Sequence, residues 1–268
     1  MKMIKCSFLA ATCFVFPALL NAAPIPVDLS TWEVDGNGSW SFNSTSAPND
    51  SADQALNSIP TVLFNNMNSQ GLALSGTIQV RTGSDDDFIG FVLGYDDDDL
   101  SGANLNTNYI LVDWKQGTQN GWSAGMNLSR VTGGPLASSG TDVNGDAWTH
   151  TGNVNVLANA ATLGSTGWSD NVEYLFQIGF TSTNISVAVD GVEQFNINGS
   201  FKDGSFGFYN FSQPNVRYAG ITEEILPPSC GDPGQPPCPP PNAVPAPATL
   251  ALFGLGLAGL CFSRRRKV

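Results

Sequence analysis

Two runs of aspartate flank one apolar segment of this chain. The first run, Asp85–Asp87, comes directly before the apolar residues Phe88–Tyr95, and the second run, Asp96–Asp99, follows them at once. Like charges this close repel strongly, so we expect such crowding to be tolerable only where divalent ions bind. Calcium in proteins is bound by oxygen atoms, and loops rich in carboxylates supply them. The sequence therefore predicts calcium binding, with these candidate ligands: Asp85, Asp86, Asp87, Asp96, Asp97 and Asp98.

A further oxygen-rich segment lies near the middle of the chain. Asp142, Asn144 and Asp146 occupy alternate positions, as the first ligands of an EF-hand loop do. Ala147, however, stands where that loop needs glycine for its sharp turn, and no glutamate follows at its end. The segment either contributes calcium ligands or forms an ordinary turn. The similar spacing in Asp35–Ser39 is better explained as an Asx turn.

Residues that could support catalysis are few. His150 is the only histidine, and beside Trp148 it is better explained as a packed residue than as a base. A glycoside hydrolase needs two carboxylates facing each other across a cleft, and the apolar strand segments offer Asp113 and Glu173 for that role. The sequence contains no phosphate-binding loop and no Cys/His metal motif. We therefore expect a non-catalytic binding protein rather than an enzyme.

The elements that must position these residues are strands. The two segments Phe88–Tyr95 and Tyr109–Trp114 are typical of neighbouring buried strands. Seven further strands are predicted: Thr61–Phe64, Gly76–Arg81, Val172–Thr181, Ile185–Asp190, Val192–Ile197, Ser205–Phe211 and Val216–Ile225. Asp190-Gly191, between two alternating runs, predicts a tight hairpin. No useful amphipathic helix lies between them, so residues 24–226 are predicted to form one all-β antiparallel sandwich.

Two segments of this predicted sandwich are less regular. Residues 24–53 carry Trp32, Trp40 and Phe42 at strand spacing in a polar background, which indicates an edge strand or hairpin. Residues 116–144 are rich in glycine and asparagine, and the middle of this stretch is predicted to carry loops, with Trp122 and Met126 as core contacts.

The N-terminal end carries an export signal. Lys2 and Lys5 precede the apolar run Phe8–Leu20, and small residues follow at Ala22 and Ala23. This order is typical of a secretory signal peptide, so we predict a signal at residues 1–22 with cleavage after Ala22. An N-terminal membrane anchor is less favoured, because the apolar run is too short to span a bilayer.

The C-terminal end is organised as a stalk and an anchor. A proline-rich linker at residues 227–243 precedes the apolar segment Ala248–Phe262, which a basic cluster follows directly. As a helix the apolar segment would be roughly 22 Å long, so it spans a bilayer core of roughly 30 Å only with local thinning. We predict a single transmembrane helix with the basic cluster in the cytoplasm. Cys230 and Cys238, outside both terminal segments, are candidates for a disulfide.

Residues 244–268 resemble the PEP-CTERM sorting signal of Gram-negative bacteria. The residues that carry the resemblance are Val244, Pro245 and Pro247, then a short helix rich in glycine and leucine, then Arg264, Arg265 and Arg266. Ala246 stands where that family usually has glutamate. The resemblance implies export, transient anchoring in the inner membrane, and cleavage by an exosortase-type processing protease before transfer to the cell surface or the extracellular space. An ordinary C-terminal anchor is the alternative.

The exported part of the chain is strongly acidic. Two of the eleven lysines and arginines leave with the signal peptide and four leave with the tail, so five remain against 23 aspartates and glutamates. This excess argues against binding nucleic acid or an anionic membrane surface, and it favours an extracellular protein that meets divalent cations.

Five patches, in order, are similar to the C-terminal lectin-like domain of thrombospondins. The patches are Ser84–Tyr95, Tyr109–Gln116, Trp148–Asn153, Gly167–Asp170, and Gly204–Gln213 with Val216–Tyr218. The resemblance implies a concanavalin/laminin-G-like jelly roll that binds calcium and, in animal relatives, takes part in adhesion. Asp85–Asp87 match the family's acidic triplet. Asp113 departs from an apolar position, and Asp96–Asp99 depart from a mostly uncharged segment, where they are either extra ligands or a solvated turn.

These observations predict a secreted, calcium-binding, non-catalytic domain for adhesion or carbohydrate binding at the bacterial surface or in the exopolysaccharide matrix. The expected partner is an extracellular polysaccharide or a surface protein. Trp122 or Trp168 could stack on a sugar ring beside calcium, although the buried core is the better place for either. The alternatives are a structural matrix or biofilm protein without a specific ligand and, less favoured, a jelly-roll glycoside hydrolase.

Overall fold

The computed structural model describes residues 23–101, 103–133 and 145–227. The predicted signal peptide, disulfide and sorting segment lie outside the described residues, as do Asp142, Asn144 and nearly all of the linker. Among the described residues, no helix is long and apolar enough to cross a membrane.

The described residues form fifteen strands, one 3-10 turn at Leu29–Thr31 and one single-turn helix, α1, at Asp146–Thr149. The strands are β1 (Ile25–Pro26), β2 (Glu33–Gly36), β3 (Trp40–Asn43), β4 (Ser51–Gln54), β5 (Thr61–Phe64), β6 (Leu72–Val80), β7 (Phe88–Tyr95), β8 (Asn108–Lys115), β9 (Gly125–Thr132), β10 (Val154–Asn159), β11 (Glu173–Phe180), β12 (Asn184–Val189), β13 (Val192–Asn198), β14 (Ser205–Phe211) and β15 (Val216–Ile225).

These strands build two antiparallel sheets that pack face to face. The eight-stranded sheet has the order β13-β12-β11-β6-β15-β4-β3, and β1 also pairs with β15. The seven-stranded sheet has the order β10-β9-β8-β7-β14-β5-β2. The chain is therefore an all-β sandwich, as the sequence predicted, and the predicted hairpin at Asp190-Gly191 is confirmed by positive φ at both residues.

The main core lies between the sheets and is rich in aromatic rings. Phe208 of β14 stacks on Tyr218 of β15 at 4.2 Å, and Phe91 of β7 packs against Phe176 of β11 at 4.5 Å. In β6 the buried side chains Leu74, Ile78 and Val80 alternate with outward-facing polar residues. Such alternation is expected where a sheet has one buried and one solvated face.

The seven-stranded sheet is covered on its outer face as well. Trp148 of α1 packs edge-on against Phe88 of β7 and Phe211 of β14, at 5.2 and 5.4 Å. Tyr95 and Tyr109 belong to the same second cluster. Both faces of this sheet are therefore buried, which explains why every position of β7 is buried and why its sequence is an unbroken apolar run.

The prediction of loops in the middle of residues 116–144 is wrong for β9. This strand pairs with β8 on one side and with β10, which was not predicted, on the other. Its inward residues Met126 and Leu128 alternate with the polar residues Asn127 and Ser129. The alternation was present in the sequence, but the high glycine and asparagine content hid it.

Asp50 fixes the loop between β3 and β4 from a fully buried position. Its carboxylate accepts hydrogen bonds from the backbone and hydroxyl groups of both Thr45 and Ser46 and from the N–H of Ala47. Burial by itself raises the pKa of this carboxyl group, but the hydrogen bonds outweigh burial and hold the pKa well below its usual range. Asp50 is therefore a structural anion.

We expect Asp50→Asn to lower the free energy of unfolding by about 1–3 kcal/mol at pH 7, because an amide cannot satisfy all these donors. The unfolded carboxyl group titrates near pH 4, above the folded one, so the contribution of Asp50 is complete above that pH and is lost as the pH falls further. Urea unfolding at pH 7 and pH 3 should show the difference between the proteins shrinking at pH 3. A difference that is absent at pH 7, or that grows in acid, would contradict this assignment.

Candidate functional site

The first aspartate run gathers at the beginning of β7, where Asp85, Asp86 and Asp87 form what we call the aspartate triplet. One carboxylate oxygen from each residue lies within 4.8 Å of the others. In the part of the chain that the structure describes, no other three acidic, histidine or cysteine side chains form such a group. Asp87 is buried, whereas Asp85 and Asp86 are partly exposed. The triplet therefore presents converging oxygens that solvent can reach.

Hydrogen bonds from two distant segments hold the triplet in place. The carbonyl of Asp86 accepts from the N–H groups of Gln116 and Gly117, in the turn after β8, each at 3.2 Å. The N–H of Asp87 donates to the side-chain oxygen of Gln213 at 2.9 Å. The position of the triplet is thus fixed by the segments that follow β8 and β14 as well as by its own loop.

A lysine ammonium group lies against the triplet. Lys115, at the end of β8, is fully buried, and its Nζ lies 2.5 Å from Oδ1 of Asp87 and 3.8 Å from Oδ1 of Asp86. The ammonium group also lies over the rings of Phe88 and Trp148, at 5.1 and 4.6 Å. The expectation that only divalent ions neutralise these aspartates is therefore wrong, because the chain supplies one cation itself.

One ammonium group does not balance the triplet. Three ionised carboxylates and one ammonium leave two excess negative charges at this point of the surface. Burial, together with the negative charges of Asp87 and Asp86, raises the pKa of Asp85 to about 6. A raised carboxyl pKa means that the ionised form lacks full compensation. One divalent cation would neutralise the two excess negative charges at the triplet.

The surroundings of the triplet fit a hard cation. Gly117 lies so close that an added Cβ would be 1.9 Å from Oδ2 of Asp86, so a glycine keeps this space open. Asp170 approaches from another segment: its Oδ2 lies 3.5 Å from the point that a Cβ on Gly83 would occupy. Oδ1 of Asp170 is buried and has no hydrogen-bond partner among the described residues. Asp170 thus lies near the segment before the triplet, and the converging oxygens of the triplet itself are of the kind that calcium takes as ligands.

The second aspartate run lies at the other end of β7, roughly 26 Å away along an eight-residue strand. Asp99 is buried, and its carboxylate accepts a hydrogen bond from the N–H of Asp96 at 3.0 Å. Asp96 also forms an ion pair with Lys202, whereas Asp97 and Asp98 are exposed. The structure does not bring Asp96, Asp97 or Asp98 to the triplet, and calcium binding by these residues stays a prediction.

Asp146 begins α1 and holds the loop that follows it. Its Oδ2 accepts a hydrogen bond from the N–H of Asn153 at 3.1 Å. An added Cβ on Gly152 would meet the same carboxylate at 2.4 Å. Asp142 and Asn144 lie outside the described residues, so the calcium role of this segment stays a prediction.

Asp113 pairs with the single histidine behind the sheet. Both side chains are fully buried, and Nε2 of His150 lies 2.8 Å from Oδ2 of Asp113. His150 also stacks on Trp122 with ring centroids 4.0 Å apart. The interpretation of His150 as a packed residue is confirmed. Glu173, the other acid considered for hydrolysis, is exposed on β11 of the opposite sheet and does not face Asp113.

The two tryptophans proposed for sugar stacking have different environments. Trp168 is buried, and its indole N–H is shared between the carbonyls of Asp87 and Trp114, each at 3.1 Å. Trp168 therefore supports the triplet from the core and cannot stack on a ligand. Trp122 is half-buried in the turn between β8 and β9, where one ring face contacts His150.

Two known sequence families match different parts of the chain. Residues 40–225 match the thrombospondin C-terminal region. The chain belongs to the thrombospondin C-terminal family. Residues 243–267 match the PEP-CTERM protein-sorting motif. Both resemblances inferred from the sequence are thereby confirmed.

Animal relatives carry this thrombospondin domain within much longer chains. Thrombospondin-4 of Bos taurus is 28% identical over 190 residues, which are 63% of this chain and 18% of that protein. Cartilage oligomeric matrix protein of Rattus norvegicus is 26% identical over 189 residues, 63% of this chain and 23% of that protein. The present chain thus spans about a fifth of the length of the curated relatives it matches.

Solved structures with similar architecture include two proteins of Bacillus subtilis. A protein of unknown function with a galectin-like fold has a TM-score of 0.51 at 12% identity, covering 76% of this chain and 97% of that chain. The carbohydrate binding module CBM66 has a TM-score of 0.50 at 13% identity, covering 72% and 95%. At these identities the similarity shows the fold alone, which is a lectin-like jelly roll.

Sequence reasoning missed two charged residues of this site. Lys115 follows an apolar strand, and a single lysine at a strand end gives no sign that its ammonium group is buried. Its partner Asp87 lies 28 residues earlier in the chain, so the contact depends on the pairing of β7 with β8. Asp170 belongs to a patch that carried the family resemblance, but only the fold places its carboxylate near the segment before the triplet.

We expect Lys115→Met to lower the free energy of unfolding by about 3–5 kcal/mol, because it leaves the buried Asp87 carboxylate without its partner. Lys202→Met is the matched control, since this lysine also pairs with an aspartate but is partly exposed, and its loss should cost less than about 1 kcal/mol. Urea denaturation without added metal measures both. Equal small effects of the two substitutions would contradict the assigned role of Lys115.

Proposed function

We infer that this protein is an exported, calcium-stabilised, non-catalytic binding domain that acts at the bacterial surface or in the exopolysaccharide matrix. This proposal rests on the charge at the aspartate triplet, where the buried ammonium group of Lys115 leaves two negative charges uncompensated. The thrombospondin C-terminal match supports a secreted binding domain, since relatives named as matrix proteins contain it.

Asp85 and Asp86 are the residues that would hold a calcium ion. Asp87 is already engaged by Lys115 at 2.5 Å, so its carboxylate is better placed to orient the site than to provide two ligand oxygens. A bound ion would supply charge neutralisation, not a reaction. Because the carbonyl of Asp86 also holds the turn at Gln116 and Gly117, relieving the repulsion would brace that turn as well.

The candidate chemistry supports binding rather than catalysis. The side chains of Asp113 and His150 are fully buried, and Trp122 stacks on the His150 ring. A substrate could therefore not reach the Asp113 carboxylate. Glu173 lies on the opposite sheet and provides no second carboxylate for a hydrolytic pair. These positions favour a protein whose ligand is held but not transformed.

Export and release follow from the two ends of the chain. We propose a signal peptide at residues 1–22, the binding domain at 24–226, a proline-rich linker at 227–243 and the sorting signal at 244–268. The PEP-CTERM match supports processing by an exosortase-type protease after transient anchoring in the inner membrane. A disulfide between Cys230 and Cys238 would stiffen the linker.

The competing role is a structural matrix protein without a specific ligand. Retention of the protein on extracellular polysaccharides or surface proteins, in calcium and in chelator, distinguishes the two. Binding to a defined component supports the binding domain, whereas no retention on any component supports the structural role.

Calcium should raise the melting temperature of the exported protein. At a free calcium concentration 100-fold above Kd, one ion adds about 2.7 kcal/mol of stability, or roughly 5–10 °C for a domain of this size. We expect Asp86→Ala to remove most of this shift. In chelator the same substitution should leave the melting temperature unchanged or raise it, because it relieves repulsion within the triplet.

Glu193→Ala is the control for this experiment, since Glu193 is an exposed acid on β13 of the other sheet and is not a candidate ligand. It should retain the full calcium shift. Melting curves that do not respond to calcium, or an Asp86→Ala protein with the full shift, would count against the proposed ion site.

A further inference from the structure

A pocket opens beside the turn between β8 and β9, on the edge of the seven-stranded sheet. Its volume is about 260 Å³, just below the range of roughly 300–1,000 Å³ typical of small-molecule sites. The residues that line it are Gly121, Trp122, Ser123, Ala124, Asn127, Asn159 and Gly164. The space suits one small ring rather than a large ligand.

The walls of this pocket belong to regular structure. Asn127 of β9 and Asn159 of β10 are directly paired across the two strands. The turn that carries Trp122 is closed by reciprocal backbone hydrogen bonds with Gln119, at 2.9 and 3.0 Å. Gln119 in turn accepts a hydrogen bond from Nζ of Lys115 at 3.2 Å. The turn on one side of the pocket is therefore linked to the same lysine that pairs with the aspartate triplet.

The polar side chains of the pocket are not used by the fold. Asn127 is 6% exposed, yet its carboxamide makes no hydrogen bond to any residue that the structure describes. The carboxamide of Asn159 and the hydroxyl of Ser123 likewise make none within the described chain. Asn127 is not among the buried polar atoms that lack a partner, so its amide reaches the open pocket and is available to water or to a ligand.

The combination of groups indicates the class of ligand. An amide offers both a donor and an acceptor, and a hydroxyl does the same, so together they match neighbouring hydroxyl groups of a sugar ring. A half-buried indole offers an apolar surface for the C–H face of such a ring. None of the lining residues is charged. An anionic sugar would also be repelled by the acidic surface of the domain.

We propose that this pocket binds one pyranose unit of a neutral polysaccharide. The ring packs against Trp122, while its hydroxyl groups exchange hydrogen bonds with Asn127, Asn159 and Ser123. The site rests on the proposed binding function and names its ligand class. It lies beside the aspartate triplet rather than in it, so sugar recognition uses side chains that are not ion ligands.

The test is retention of the exported chain, kept in saturating calcium, on immobilised polysaccharides. The panel contains neutral glucans, mannans and galactans together with acidic alginate and pectate. We expect retention on at least one neutral polysaccharide and none on the acidic ones. Retention on acidic polysaccharides alone, or on none of the panel, overturns the proposal.

Substitutions of pocket residues test whether retention on a polysaccharide depends on this pocket. Trp122→Ala should weaken binding by about tenfold or more, and Asn127→Ala by about fivefold to tenfold. Because Trp122 also packs on His150, the Asn127 variant is decisive: its amide makes no bond within the described fold, so its melting temperature should not change. Asn155→Ala is the matched control, since it removes an exposed asparagine of β10 outside the pocket. Equal binding by the Asn127 and Asn155 variants overturns the proposal.

The two experiments distinguish a wrong assignment of the sugar pocket from a wrong proposed function. If calcium still raises the melting temperature but no neutral polysaccharide is retained, the pocket assignment is wrong and the calcium-stabilised domain stands. If calcium has no effect while Trp122-dependent retention persists, the ion site is wrong and the sugar pocket stands.

Discussion

The site depends on the ion pair between the buried ammonium group of Lys115 and the carboxylate of Asp87. A buried charge is stable only when it is paired, so this contact requires the first aspartate run and the end of β8 to lie side by side. It also leaves Asp85 and Asp86 as the partly exposed members of a triplet that carries two excess negative charges. Through Gln119, the same ammonium group supports the turn that carries Trp122. The candidate ion site and the candidate sugar pocket thus share one internal cation.

Much of the fold could be predicted from the sequence, because the buried strands are visible there as apolar and aromatic runs. The boundaries of β7, β14 and β15 agree with the apolar and aromatic runs that predicted them. β9 was missed, since its two large core residues are separated by polar ones in a segment rich in glycine and asparagine. The covering of the outer face by α1 and Trp148 was not predictable either, because it depends on packing between segments far apart in sequence.

The candidate site was only partly predictable, for a physical reason. Sequence shows which acids are adjacent, but it does not show which cations the fold brings to them. Both aspartate runs were predicted to bind calcium, and the eight-residue strand that was predicted between them does separate them, by roughly 26 Å. In the sequence, Asp113 departs from the family pattern without an evident reason. The structure gives the reason, because the Asp113 carboxylate on β8 pairs with the buried ring of His150. Long-range contacts of this kind follow from strand pairing, not from local spacing.

The most direct test of the account is a crystal structure of the exported protein grown with calcium, with anomalous difference density used to locate ions. We expect one ion at the triplet, with carboxylate oxygens of Asp85 and Asp86 at roughly 2.3–2.6 Å from it and Lys115 still paired with Asp87. A triplet without an ion at saturating calcium, or an ion that displaces Lys115 from Asp87, would contradict it.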